Sequence, residues 1–562
     1  MKPLQLLSLS LFSSAALSSC SFESNESAEQ LAEPRVAASD SAEIEAMLHQ
    51  HIAVLASDEF EGRAPATPGE EKTINYLRSE FEALGIGPGN GDSYFQSVSV
   101  TEITTASDAV LTFSGSNYDA KLEYATEMMV GSQQQIPTTS ISDSELVFVG
   151  YGVVAPERNW NDYAGIDVVG KTVVILVNDP GYATQDPEVF NGNAMTYYGR
   201  WTYKYEEAAR QGAAGALIVH ETGPAGYGWE VVSGSWSGPQ IGLQADNLNS
   251  DKNDIEGWLT LDSAEALFAG AGLNYQQLKA TAAQPGFSAV PLGDVTASVA
   301  IQNSVRTSLS QNVIAMIPGT DRAQETIIYT AHWDHLGVNP EIPGDNIYNG
   351  AADNATGTAA LLAMAKMHAD AGPAPRSIVF LAVTAEESGL LGSRWYAEHP
   401  VFPLATTVAN INIDVLNTYG PMHDIVVVGN GSSELEAYLE EAATAQGRHL
   451  VEEPNPERGY YYRSDHFNFA KAGVPALYAE SGEDSVEFGS QWGAEQAQDY
   501  NENRYHAPSD EYDPSWNLEG AAQDILLYFD VASKLSRESR FPNWLEGNEF
   551  KGIRDATSAS RP

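Results

Sequence analysis

Cysteine is almost absent: the 562-residue chain has one, Cys20. A single thiol excludes an intramolecular disulfide and every C-x-x-C motif, so any bound metal would rest on nitrogen and oxygen. Positive charge is also scarce. Against 76 Asp and Glu stand 29 Lys and Arg, a formal net charge of -47, and such a surface repels a nucleic-acid duplex or an anionic membrane. Nucleic acid is therefore excluded as a partner class. No H-E-x-x-H helix and no G-x-S-x-G elbow is present, which removes two common hydrolytic centres. What the chain does have is 43% apolar residues and 10% aromatics, enough at this length to fill more than one core.

At the N-terminus, Lys2 precedes an apolar stretch from Leu4 to Leu17 and then LSSC, ending at Cys20. That is the pattern of an export signal, too short to span a bilayer. LSSC resembles a bacterial lipobox, which implies cleavage before Cys20, lipid on that residue, and a cell-envelope location with membrane attachment only through the anchor. Residues 1–19 are then a signal peptide. Residues 20–40, rich in Ser, Glu and Ala, read as a flexible tether.

Beyond the tether, Ile44, Met47, Leu48, Ile52 and Leu55 recur at helical spacing, and a second helix follows Pro68. From Glu145 short β-type runs take over (LVFVGYGVV, KTVVILVND, ALIVH), with a helical YKYEEAARQGAAG among them; NGNAMTYYGRW and GYGWEVVSGSWSG read as long loops. After Val295 the runs NVIAMIPG, TIIYTAH, SIVFLAVT, VANINIDVL and PALYAE alternate with helical segments such as GTAALLAMAKMHAD. This predicts an α/β fold, a mostly parallel sheet with helices on both faces, plus a smaller β-rich unit. Ligands in such sheets bind at the carboxyl ends of the strands.

Those ends carry donors. His332, Trp333, Asp334 and His335 follow TIIYTA; Asp353 lies in NGAADNATG; Glu386 and Glu387 follow SIVFLAVT; Asp414 lies in NINIDVLN, where a carboxylate among apolar neighbours needs a partner. Singly each has an ordinary reading as a rim residue or a helix cap. Together they predict a metal site, and the adjacent glutamates, which would repel each other near an apolar core, ask for a cation.

AHWDHLG, NGAADNATG, TAEESGLLGS, NINID and YHAPSDEYD resemble the motif blocks of the co-catalytic zinc aminopeptidases of peptidase family M28, and LASDEFEGRAPATPGEEKTINYL resembles that family's opening segment. GKTVVILVND and AARQGAAGALIV resemble the protease-associated domain often inserted in these enzymes. The resemblance implies a peptidase domain at 41–135 and 290–545, an insertion at 136–289 and a C-terminal tail at 546–562. It further implies two Zn2+ ions, with Asp353 bridging them, His332 and Asp414 completing one site, and Glu387 and His506 the other. Glu386 would be the general base acting on water between the ions. Asp334 would accept the imidazole N–H of His332, and Tyr505 would stabilise the oxyanion. Ser464, Asp465 and His466, within RSDHF, would support the site. Where family members often have Asp-Asp-Asn, this chain has Ala352-Asp353-Asn354; the bridging position is kept, so the lost acid bears on neighbouring hydrogen bonds. The implied activity is removal of N-terminal residues from peptides with a free N-terminus. Two alternatives share the scaffold: a mononuclear glutaminyl cyclase or other amidase, and a non-catalytic binding protein, which would have lost ligands or base.

Overall fold

The computed structural model describes residues 38–561. The predicted signal peptide, the lipobox at Cys20 and most of the tether lie outside them. Among the described residues no helix is long and apolar enough to cross a membrane.

Every residue of the strand Arg376–Val383 is buried, and a strand buried on both faces must be covered on both. Its residues alternate between two cores. Ile378, Phe380 and Ala382 join the larger one, built with the helices Ala38–Leu55, Pro68–Ala83, Thr356–Ala371 and Glu519–Arg537. Val379, Leu381 and Val383 turn the other way, to Tyr396 and Phe469 on the helices Leu391–Glu398 and His466–Lys471. Arg322–His332 runs parallel to this strand, with Ile328 opposite Val379, and Thr407–Asn412 and Ala476–Ser481 continue the parallel order. Val313–Ile317 and Asp424–Val427 pair antiparallel at either side. The sheet is thus mostly parallel with helices on both faces, and the parallel strands bring their carboxyl ends to one side.

A second sheet centres on Thr172–Leu176, Gly215–Val219 and Ile255–Leu259, which are parallel and fully buried. It also takes in Val110–Gly115, Tyr118–Glu123 and Met128–Gly131, so its strands begin upstream of residue 136. The 28-residue strand Val290–Ile317 joins the two sheets. It pairs first with Thr138–Phe148, then with Phe95–Thr105, then with Arg376–Val383. Its register shifts twice in its first part, between Pro291 and Thr296 and between Ala297 and Val299, the kind of irregularity that bends and twists a strand. Within the predicted loop GYGWEVVSGSWSG, Trp229–Ser235 is helical. The C-terminal segment is packed: Arg554 is buried and donates to the carbonyls of Thr407 and Val408.

The second unit is pinned by a buried lysine. Lys204 Nζ donates to the carbonyls of Tyr151 (2.6 Å), Asn178 (2.8 Å) and Tyr198 (2.6 Å). Burial lowers this ammonium to about 7, against the opposing pull of Asp179 and Asp162. Lys204→Met keeps the apolar stem and orphans three carbonyls, so it should cost about 3 kcal/mol or more. A thermal melt should fall by several degrees; an unchanged melting temperature would show that these bonds do not hold the unit together.

Candidate metal centre

His332 is the last residue of its strand, Asp414 follows Thr407–Asn412 by two residues, and Glu386 follows Arg376–Val383 by three. Asp414 is therefore just past the strand predicted to contain it. Asp353 comes from the turn that opens the helix Thr356–Ala371. Parallel pairing brings these residues to one place. His332 Nε2 is 3.2 Å from Asp353 Oδ1 and 3.0 Å from Asp414 Oδ1, while His506 Nε2 is 3.2 Å from Asp353 Oδ2 and 3.0 Å from Glu387 Oε2. The two oxygens of Asp353 thus face two separate histidine–carboxylate pairs. All five residues expected as ligands converge.

Local backbone chemistry sets this geometry. Asn354 Nδ2 donates to Ile413 O, and its Oδ1 accepts from the backbone N–H groups of Gly357 and Val415, which ties the Asp353 turn to the Asp414 loop. A Cβ at Gly357 would lie 2.4 Å from Asn354 Oδ1, and one at Gly350, where φ is +56°, would lie 2.5 Å from the His335 ring, so both positions require glycine. Ala385, Val415 and His506 hold left-handed backbone at φ 53°, 57° and 55°, each at or beside an expected site residue. Strained backbone of this kind persists where the surrounding fold over-determines it.

Several contacts differ from expectation or were not foreseen. The Nδ1–H of His332 donates to the backbone carbonyl of Asp334 at 3.1 Å, and the Asp334 carboxylate is 3.9 Å away. That carboxylate instead accepts the Glu386 N–H at 3.1 Å. His332 still has its tautomer fixed, with Nε2 toward the carboxylates; Asp334 orients the glutamate loop. The Asp510 oxygens accept from the N–H groups of Ala352 and Asp353, so this carboxylate holds the backbone of the Asp353 turn. Ser464 Oγ donates to Asp414 Oδ2 at 2.6 Å and accepts from Asn412 Nδ2. His466 points away into a cluster with Tyr461 and Tyr478, where burial lowers it to about 3, so Ser464, Asp465 and His466 do not converge as a triad. The Tyr505 ring stacks on His506 and is 46% exposed. His335, a strand-end donor outside the implied ligand set, also reaches the site: its Nδ1 is 2.6 Å from Glu387 Oε1, and it forms a group with Asp353 and Glu387. Arg63, which was not foreseen, is buried beneath the site and donates to the carbonyls of Leu55, Trp333, Asn349 and Gly350.

The donor set fits a pair of divalent cations. Burial opposes charge on His332, yet Asp414 and Glu386 hold it well above the usual histidine range. His506 is likewise pushed up to about 10 by its bonds to Asp353 and Glu387. Against burial, bonds from His332 and His506 hold Asp353 well below the usual carboxylate range. Protons on the imidazoles here do the charge balancing that a cation would do. Only nitrogen and oxygen donors are present, a set suited to zinc. With both imidazoles held above the usual range in the absence of metal, zinc binding must displace protons from them, and its affinity should rise with pH. Calorimetry at pH 7 in buffers of different ionisation enthalpy should register release of roughly one to two protons per chain; uptake without release would contradict this charge assignment.

Residues 312–530 match the model of peptidase family M28. The chain is 29% identical over 203 residues to aminopeptidase YwaD of Bacillus subtilis strain 168, a match covering 36% of this chain and 39% of that protein. It is 27% identical over 286 residues to a Mycobacterium tuberculosis protein named "Probable lipoprotein aminopeptidase LpqL", covering 44% and 53%. These matches span between two fifths and about half of the relatives' lengths. Among solved structures, an aminopeptidase from Aneurinibacillus sp. strain AM-1 is 20% identical, with 88% of this chain and 95% of that one covered and a TM-score of 0.47.

Proposed function

We propose that this chain is an exported, lipid-anchored aminopeptidase that uses two zinc ions to remove N-terminal residues from peptides. The observation that carries the reading is the placement of Asp353, whose oxygens face His332 with Asp414 on one side and His506 with Glu387 on the other. These five residues would hold the ions, and His335 adjoins them through Glu387. Bound zinc supplies Lewis acidity, polarising a scissile carbonyl and acidifying water. Glu386 is the proton carrier. Without the ions, burial first, then the nearby Asp414 and Glu387 charges, hold its carboxyl well above the usual range despite His332; bound cations would lower it, leaving a carboxylate that takes a proton from attacking water and returns it to the departing amine. Asp334 aims this glutamate through the Glu386 N–H. Tyr505, stacked on His506, is the proposed hydroxyl donor to the oxyanion.

A full donor set with an intact base weighs against a non-catalytic binding protein, and a carboxylate that faces two histidine–carboxylate pairs weighs against a mononuclear cyclase. The anchor proposal is supported by LSSC and by the printed name of the mycobacterial relative. The test of function is a panel of peptides with free and acetylated N-termini, with and without a chelator. Hydrolysis of the free-amine peptides alone, lost on chelation, is expected. Equal cleavage of acetylated peptides would exclude an aminopeptidase, and cyclisation of N-terminal glutamine without peptide cleavage would select the cyclase.

A further inference from the structure

A cavity of about 850 Å³ opens beside Glu386, Glu387 and His506. Its far wall comes from the second sheet unit, including Trp201 and Trp236. Five Lys and Arg side chains line it, and three of them are paired: Lys471 with Glu206 at 2.9 Å, Arg394 with Glu398 at 2.8 Å, and Lys252 with Asp251 at 3.8 Å. The other two are Arg200, at the start of the helix Trp201–Arg210, and Arg463, beside the Ser464 that holds Asp414. Among the described residues no carboxylate forms an ion pair with either. Arg463 gives one N–H to the carbonyl of Arg458 at 2.8 Å, and the Nε of each arginine is buried without a hydrogen-bond partner. Burial and then the neighbouring Arg463 lower Arg200 to about 10, so Arg200 remains charged at neutral pH.

Arg463 also lies over the Tyr460 ring at 5.2 Å and within the field of the Glu453 carboxylate. Even so, two guanidinium groups without a carboxylate in ion-pair contact in one cavity are costly, the more notable in a chain with 76 acidic residues against 29 basic ones. Like charges held close and partly desolvated gain most from a shared anion, and a planar guanidinium matches a carboxylate with two parallel N–H bonds. We propose that Arg200 and Arg463 form a carboxylate-binding subsite, built from both sheet units, that selects peptides able to place a carboxylate in this cavity. The proposal rests on the aminopeptidase reading and names the substrate class of that site. The carboxylate is either the C-terminus of a very short peptide or an acidic side chain near the N-terminus.

Four substrates separate these sources: Leu-Ala, Leu-Ala amide, Leu-Glu amide and Leu-Gln amide. If a C-terminus is read, kcat/KM for Leu-Ala should exceed that for its amide by about ten- to a hundredfold, the scale of a charge-assisted pair. If a side chain is read, Leu-Glu amide should exceed Leu-Gln amide by the same factor. In R200Q and R463Q that ratio should fall toward 1, mainly through KM, and R200K should restore part of it. Melting temperatures identify any variant that fails to fold, and the wild-type ratios stand without variants. Ratios near 1 for both pairs overturn the subsite, as does a preference that survives both Gln variants. No hydrolysis of any of the four would overturn the aminopeptidase reading itself, and the subsite with it.

Discussion

Replacing Glu386 by Gln should leave about two zinc ions per chain and lower kcat by about 10²- to 10⁴-fold, the scale of lost general-base catalysis. The neighbouring Glu387→Gln should fail differently. Glu387 Oε1 lies 2.6 Å from His335 Nδ1 and Oε2 lies 3.0 Å from His506 Nε2, among the proposed ligands of one ion. Burial and the Asp353 charge would raise this carboxyl, yet its histidine bonds hold it at about 2. It is an anion built to sit against positive charge. Glu386 has the opposite character: its carboxyl is held well above the usual range, and its backbone N–H, rather than its side chain, is anchored by Asp334. Removing the Glu387 charge should therefore reduce zinc content, with partial rescue of activity by excess zinc. Zinc content and kcat of each purified variant are the readouts. If Glu386→Gln loses zinc while Glu387→Gln keeps both ions, the roles are reversed.

Asp353→Asn should have a larger effect, because one substitution touches both sites. The change preserves size, so the buried turn keeps its shape, but it removes the negative charge shared by His332 and His506. Zinc content should fall below about one ion per chain, and activity should fall to background, since the loss of metal removes both carbonyl polarisation and water activation. Asp414→Asn, which meets only His332 among the histidines of these pairs, should leave an ion on the His506 side. Elemental analysis of the two variants side by side distinguishes them. Retention of two ions by Asp353→Asn would show that this carboxylate does not bridge.

His332, Glu386, Glu387 and Asp414 were legible because each sits where a run of apolar residues stops, and parallel strands put such stops on one side. Asp353, in the turn before a helix, and His506, in a loop, were supplied by the motif resemblance. Residues whose role depends on a turn or on distant sequence were not legible from apolar runs. His335 lies three residues after His332, a spacing that in an extended chain points the other way; it reaches Glu387 from the irregular segment that follows the strand ending at His332. Asp510 meets the Asp353 N–H across 157 residues, and Arg63 meets Gly350 across 287, distances over which periodicity carries no information. The same limit affected Asp334, whose backbone carbonyl, invisible to residue type, took the bond expected of its carboxylate. In the fold, the helices at Ala38–Leu55 and Pro68–Ala83 followed from their apolar spacing. The continuity of Val290–Ile317 across two sheets did not, because a strand's partners are set by bulges and twist rather than by its own alternation.

Hydrolysis should depend on a pair of ions held at Asp353. The direct measurement strips the protein with a chelator, verifies the loss by elemental analysis, and follows Leu-Ala amide hydrolysis as zinc is titrated back. Activity should fall below ~1% and return as occupancy rises, reaching its plateau near about two ions per chain, because water activation and carbonyl polarisation both come from the metal. Full activity in protein shown to be free of metal would contradict the account.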